Sequence, residues 1–328
     1  MIANPLLSIV IPTYNRAYFL DYCLEVHIPL VKEHNIEIFI SDNASTDCTS
    51  EIVDKWMAQY SFIHYFKNET NLGPDRNFEL ALKYPQSRYI WLLGDTYQIQ
   101  PNGIDYIINK LLEKKTYDVL VINSNRVKDV ATTDYDDQNK ILSELGWHMT
   151  CMSCLIYNRH LITYANFQKY YDTYFIQLGI ILDSISNHEF NIHWSKDISV
   201  DSIRLPNTIR DSWQNQTFYI WVDKWIDFIL NLPNTYREEI KQKCIMDHGK
   251  KSGLFSFNNL LILRSNEILN KNTYQQFHTR FSNTICTNKF IIRLIILIPP
   301  RQLKYLIELY INRKKHIKTL TNLIHPKI

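Results

Sequence analysis

The sequence predicts an α/β fold, a mostly parallel sheet flanked by helices, followed by a helical C-terminal region. Three observations carry this. Short β-branched or aromatic runs alternate with stretches of helical spacing as far as residue 125. Strands separated by helical stretches imply βαβ units, and so parallel pairing. After Gln216 only helical spacing remains.

The elements follow in order. Leu7 to Ile11 is a β-branched run, predicted as a buried strand. Ala17 to His34 has helical spacing, with Pro29 as a kink point. Ile36 to Ser41 is a second strand, and Asp47 is placed to cap a helix through Gln59. Phe62 to Phe66, Tyr89 to Leu93 and Asp118 to Asn123 are further strands, separated by helices over Asp75 to Tyr84 and Gly103 to Lys115. Val127 to Lys140 reads as a surface loop, and its Asp134, Asp136 and Asp137 as a solvated acidic turn. Met149 to Tyr157 is a strand, and Thr173 to His188 a helix. Ile192 to Trp194 and Ile198 to Leu205 are short strands. Leu205 to Gln216 is a polar loop. Six helices are expected beyond it, ending with Lys289 to Ile298 and Arg301 to Leu323. The chain thus divides into an α/β half (1–125), a mixed part (126–215) and a helical region (216–328).

Composition excludes several classes of protein. Six cysteines in 328 residues are too few for a disulfide scaffold. Cys151 and Cys154 form a lone CxxC that no second pair completes into a zinc site. Residues 188–193 miss the HExxH spacing by one position. The acidic turn lacks the glycine and terminal glutamate of an EF-hand loop. Seven glycines include no GxGxxG and no GxxxxGK[ST], so a nucleotide would need a cradle that is not lined by glycine. The N-terminal residues lack a secretory signature, and the apolar run Phe290 to Ile298 is far short of a membrane span.

Ligands of open α/β sheets bind at the carboxyl ends of the strands. Four successive strands are followed there by polar segments: Pro12 to Arg16, Asp42 to Asp47, Asn68 to Asn77, and Gly94 to Tyr97. Four such loops converging on one edge mark a candidate site. SIVIPTYNR, ISDNASTDCTSEI, NETNLGPDRNFELAL and YIWLLGD, in that order and spacing, resemble the family 2 glycosyltransferases. NLGPDRNF is similar to abequosyltransferase-like members that build bacterial O-antigens.

The resemblance implies a GT-A-type, Rossmann-like fold and an inverting transferase. Its donor would be a nucleoside-diphosphate sugar, a UDP-sugar first. Its acceptor would be a glycan or lipid-linked glycan of the O-antigen, lipooligosaccharide or capsule type. It further implies that Asp42 faces the base, that Pro12, Thr13, Tyr14 and Asn15 wall the base and ribose, and that Asn43, Gly73, Arg76 and Asn77 complete the nucleotide-sugar site. The planar fork of Arg76 suits phosphate. Asn43, Ser45 and Asp47 have an alternative use in the turn and the helix cap. Asp95 falls where the family's Asp-x-Asp binds a divalent metal, Mg²⁺ or Mn²⁺. Here the triplet is Asp95-Thr96-Tyr97, so Tyr97 replaces the second carboxylate. The general-base position matches Gln177, which cannot take a proton. That leaves Asp211, Asp172 and Asp183 as catalytic candidates. Gln177, Arg210 and Trp213 are expected on the acceptor side. The alternative is a degenerate member that binds nucleotide-sugar or glycan without turnover.

The net charge of +3 conceals an asymmetry. Residues 289–328 hold nine Lys/Arg and one Glu, +8, which leaves −5 for the rest. With Leu303, Leu306, Ile307 and Tyr310 at helical spacing, the tail reads as a basic amphipathic segment. It suits an anionic membrane surface, or packing on the domain or in a homo-oligomer interface. A glycan-building enzyme gives it no reason to bind nucleic acid. The expected location is cytoplasmic, peripheral on the inner face of the membrane.

Overall fold

The structure is a computed structural model, and residues 5–206 and 213–310 are described. Two compact units are distinguished: Met1–Arg210 with Asp227–Cys244, and Asp211–Ile226 with Ile245–Ile328.

Among the described residues the first unit is built on nine strands. They are β1 (Leu7–Thr13), β2 (Glu37–Asp42), β3 (Ile63–Lys67), β4 (Tyr89–Leu92), β5 (Tyr97–Ile99), β6 (Val119–Asn123), β7 (Thr133–Tyr135), β8 (Leu155–Asn158) and β9 (Ile192–Ser202). Their spatial order is β3-β2-β1-β4-β8-β6-β9-β5, with β7 on β9. β1 pairs in parallel with both β2 and β4, and β2 with β3. β8 enters antiparallel between β4 and β6, so the second half of the sheet is mixed.

The helices between these strands are α1 (Ala17–Lys32), α2 (Thr49–Met57), α3 (Pro74–Lys83), α4 (Gly103–Leu111), α5 (Gln138–Leu145), α6 (Arg159–Tyr164) and α7 (Ile176–Ile185). Alternation of side chains along a strand sends Ile9, Ile11, Ile38, Ile40 and Trp91 to one face. There they join Leu20, Leu24, Ile28 and Val31 of α1 in a single buried cluster. Burying a side chain of this size stabilises the fold by about 1.5–3 kcal/mol. The sheet is therefore a rigid platform for the loops at its edge.

Several local expectations change. Asp137 is not in a solvated turn: it N-caps α5, accepting from the Asn139 and Lys140 N–H groups. Asp134 lies on the short strand β7 and bridges Lys115 and His193. The run from Met149 is not one strand, because a 3₁₀ turn, Met152–Cys154, precedes β8. The two strands expected near residue 200 are one strand, β9, irregular between Ser195 and Ser199. β5 went unread because three residues leave too little periodicity. Tertiary contact holds it, since the Ile99 N–H donates to Nε2 of buried His27 on α1 at 3.0 Å. Burial pushes that imidazole down to about 4, so it stays neutral and can accept.

The remaining helices are α8 (Trp225–Leu230), α9 (Glu238–Lys251), α10 (Phe257–Ser265), α11 (Lys271–Phe277), α12 (Phe281–Thr284) and α13 (Lys289–Leu297), and residues 300–310 are also helical. A π-helical turn, Tyr219–Lys224, precedes α8. In the second unit Phe218 packs against Phe255, Phe277 and Phe281. Gly249 is required by close backbone approach: a Cβ there would lie 1.6 Å from the Thr284 carbonyl oxygen.

Candidate active site

The parallel strands β1, β2 and β4 end side by side, and their loops meet at the carboxyl edge. Asp95 follows β4 and is 3 % exposed. Its Oδ2 accepts from the Thr13 hydroxyl at 2.9 Å. Its Oδ1 accepts from Arg16 Nη1 at 3.1 Å, an ion pair whose arginine keeps 23 % of its side chain exposed. Tyr14, between Thr13 and Arg16, is 42 % exposed and presents an open ring at this edge. The preceding Gly94 is fixed from below, its N–H donating to Ser153 Oγ at 2.9 Å. The Ser153 carbonyl in turn accepts from Trp91 Nε1 at 2.9 Å. The CxxC thus flanks the turn that supports the Asp95 loop, and both thiols are free.

The loop after β2 is held almost wholly by side chains. Asp42 is fully buried. Its Oδ1 closes the turn by accepting the Ser45 N–H at 2.8 Å, and its Oδ2 accepts from Tyr65 Oη at 2.6 Å. Burial, then this bond to Asp42, raises the Tyr65 phenol. One Asp42 oxygen thus serves the turn and the other the neighbouring strand β3, and the side chain is buried. Asn43 is also spent internally. Its amide N donates to Asn71 Oδ1 (2.8 Å) and the Gly73 carbonyl (3.2 Å). Its Oδ1 accepts from Asn68 Nδ2 (3.1 Å) and the Leu72 N–H (2.9 Å). Asn77 accepts from Ser41 Oγ and Asn68 and donates to the Ser41 carbonyl.

Asn15 ties the first loop to the second. Its N–H donates to Ser45 Oγ at 2.8 Å, and its Oδ1 accepts the Thr46 N–H at 2.7 Å. Asn15 and Ala44 both have positive φ, 51° and 65°. For a residue with a Cβ this costs about 1–2 kcal/mol, strain that the surrounding bonds must hold. Asp47 bonds the Thr49 N–H at the start of α2 and the Ala17 N–H at the start of α1. Pro12 is buried in β1. Gly73 (φ 81°) turns the chain into α3, where a Cβ would meet nothing, so conformation alone calls for glycine. Of the predicted donor residues, Tyr14, Asn15 and Arg76 remain exposed. Arg76 lies over the Tyr171 ring, 4.5 Å from its centre.

The loop before α7, where the acceptor side is expected, is different. Asp172 and Tyr174 have φ of 61° and 68°. Asp172 is exposed and is not the N-cap of α7, whose flanking residue is Phe175. That work falls to Asp75 on α3, a residue the sequence did not single out. Asp75 is 5 % exposed, and its Oδ2 accepts the Tyr174 N–H at 3.1 Å. Burial raises its carboxyl to about 6, opposed by bonds from the Tyr174 and Ile176 backbone and helped by the Asp172 charge. Its Oδ1 has no partner among the described residues. An acid in a helical first turn looks like any dipole-stabilising residue, so the sequence held no signal for a contact about a hundred positions away.

Gln177 is buried on α7, its Nε2 donating to the Thr150 carbonyl at 3.2 Å. Asp183 forms an ion pair with Lys169. Trp213 packs edge-on against Trp221 at 5.9 Å in the second unit. Arg210 and Asp211 lie outside the described residues.

A divalent ion implied by the resemblance finds a poor donor set. Asp95 is one carboxylate, and both its oxygens already accept from Thr13 and Arg16. The Tyr97 side chain is engaged with the Cys151 thiol. Among the described residues no three His, Cys, Asp or Glu side chains gather as a metal site. The fit fails at both Asp95 and position 97.

A sheet that is parallel through β3-β2-β1-β4 and mixed beyond, flanked by helices and with polar loops gathered at one edge, has the architecture of a GT-A-type domain. The chain belongs to glycosyl transferase family 2, whose sequence profile matches residues 8–173. Abequosyltransferase RfbV of Salmonella typhimurium is 47 % identical over 92 residues, 27 % of each chain. The chain thus spans about a quarter of that relative. TarS 1-349 of S. aureus, solved with UDP-GlcNAc, is similar at a TM-score of 0.53 and 17 % identity, covering 92 % of this chain and 90 % of that one. The mannosyltransferase PcManGT of Pyrobaculum calidifontis, solved with GDP-Man and Mn²⁺, is similar at 0.54 and 12 %, covering 90 % and 88 %. At these identities the two structures show a common fold.

Proposed function

We propose that the chain transfers a sugar, of the hexosyl type, from a nucleoside-diphosphate sugar to a hydroxyl of a bacterial surface glycan. A UDP-sugar is the first candidate donor, in line with the UDP-GlcNAc of the TarS structure. The observation that carries the reading is the Thr13–Asp95–Arg16 cluster beside the open Tyr14 ring, at the carboxyl ends of β1 and β4. A ring offers a base or ribose a face to pack on, and a fixed cation suits a diphosphate. The similarity of NLGPDRNF to abequosyltransferase-like enzymes supports an O-antigen, lipooligosaccharide or capsule acceptor.

In an inverting transfer the acceptor oxygen forms the new bond to the anomeric carbon as the bond to the diphosphate breaks. The acceptor proton must pass to a base. Asp172 is the exposed carboxylate of the acceptor-side loop, and we assign it that proton. Arg76, over Tyr171, supplies positive charge near the departing diphosphate.

The test is a panel of UDP-, GDP-, CDP- and dTDP-sugars scored by thermal stabilisation, then by transfer. Native-state ligands raise the melting temperature. Stabilisation by one base series with turnover supports the reading. Stabilisation without turnover on any glycan acceptor favours the binding-only alternative, and a flat panel rejects a nucleotide site.

We also propose that the C-terminal segment meets an anionic membrane surface. On α13, Phe290, Ile291, Leu294 and Leu297 are exposed while Ile292 and Ile295 are buried, and Lys289 lies beside the exposed stripe. No helix of the described residues is long and apolar enough to cross a membrane. Deleting residues 289–328 is expected to abolish sedimentation with anionic vesicles. Unchanged sedimentation, or none with the full chain, would reject surface binding.

A further inference from the structure

We infer that Arg16, anchored by Asp95, compensates the charge of the nucleotide diphosphate in this chain, in place of a divalent cation. The inference rests on the donor-site reading above and deepens it.

Asp95 is the carboxylate that a metal would need, and it is committed. Thr13 Oγ1 holds one oxygen at 2.9 Å and Arg16 Nη1 the other at 3.1 Å. A divalent ion on Asp95 would have to displace a guanidinium, or sit beside one and be repelled by it. The position that would supply a second carboxylate holds Tyr97, whose side chain is engaged with Cys151. The ring also packs close: a Cβ on Gly94 would lie 3.4 Å from Tyr97 Cδ2. Tyr97 opens β5, which pairs with β9 at Ser202, so its backbone is fixed as well.

Arg16 meets the needs of the opposite role. It immediately precedes α1, in the loop that carries Tyr14. Its side chain keeps 23 % of its surface open, against 5 % for Asp95. One fork nitrogen is fixed by the carboxylate, so the planar group is oriented before any ligand arrives. A guanidinium remains charged at all relevant pH, and its donors match phosphate oxygens. The exchange is chemically coherent: where the second carboxylate is lost, a permanent cation stands against the first.

The experiment uses the full chain and titrates UDP, GDP, CDP and dTDP by calorimetry, in EDTA and then in 1 mM Mn²⁺ (about the upper end of ordinary assay conditions). For the nucleotide that binds, affinity is expected to differ by less than about threefold between the two conditions. Arg16→Gln is expected to weaken the diphosphate at least about tenfold while leaving the parent nucleoside within about threefold. Arg16→Lys is expected to recover part of the loss. Circular dichroism and melting of the variants verify folding, since Arg16→Gln leaves the buried Asp95 carboxylate without its ion pair. An affinity that drops threefold or more in EDTA and returns with Mn²⁺ would overturn the inference, as would an Arg16→Gln variant that binds the diphosphate normally. Failure of every nucleotide to bind, with or without Mn²⁺, would instead reject the donor site itself, and the inference with it.

Discussion

The loops after β2 and β3 and the loop before α7 are made of the same residue types, and they are held in opposite ways. On the donor side the side chains satisfy one another. The Asn43 side chain alone makes four hydrogen bonds, and Asp42, Asn77 and Asp47 bridge neighbouring segments. Before α7 the buried carboxylate Asp75 receives the backbone, and two non-glycine residues carry positive φ, as Asn15 and Ala44 do in the first two loops. A preorganised rim holds a ligand's shape without reorganisation. The loop before α7 is held by Asp75 together with the Thr173 hydroxyl, which accepts the Phe175 N–H and donates to the Tyr170 carbonyl.

Substitutions can break that contrast, and the largest effect is expected at the proposed base. Asp172→Asn should cut transfer by about 10²–10⁴-fold with nucleotide affinity unchanged. A loss under tenfold in single-turnover assays would move the base elsewhere. Asp95→Ala comes next. It frees Thr13 and Arg16 together, and should lower turnover by about 10²–10³-fold, the scale of losing a preorganised electrostatic group. A mild effect would separate Asp95 from the reaction.

Asp75 sharpens the contrast through pH. Its folded carboxyl titrates at about 6, above the ordinary 3.8. The native state therefore binds the extra proton between those values, and stability falls as pH rises from about 4 to about 6. The shift corresponds to at most about 3 kcal/mol, and proton release leaves an uncompensated buried charge. Denaturant unfolding of Asp75→Asn should lack this descent. A parallel pH profile for the two proteins would show that Asp75 is not the group responsible. The smallest effect is expected at Asn43→Ala, which strips four hydrogen bonds from a half-open loop. It should cost about 2 kcal/mol in denaturant midpoint and speed proteolysis within residues 68–73. An unchanged midpoint would mean that the loop is held without it.

Much of this was legible in the residues. The βαβ alternation placed β1 to β4 to within a residue or two, because buried β-branched runs between helical stretches have few other solutions. Four polar loops at their ends pointed to the right edge. The division of labour within them was not legible. Asp42 and Asn43 carry side chains that suit a ligand and a tight turn equally, and only tertiary distances show which protein groups they bond. Arg16 was visible as a loop residue, but its pairing with a carboxylate 79 positions later is a product of β1 and β4 lying side by side. Asp75 posed the same problem across a longer separation.

The central claim is that the donor nucleotide seats at the carboxyl ends of β1 and β4. Hydrogen–deuterium exchange of the full chain, with and without the nucleoside diphosphate that stabilises it most, tests this directly. The strongest slowing is expected in residues 13–17 and 94–97, with residues in α5 and α9 unchanged. Slowing confined to segments away from β1 and β4, with 13–17 exchanging as before, would contradict it.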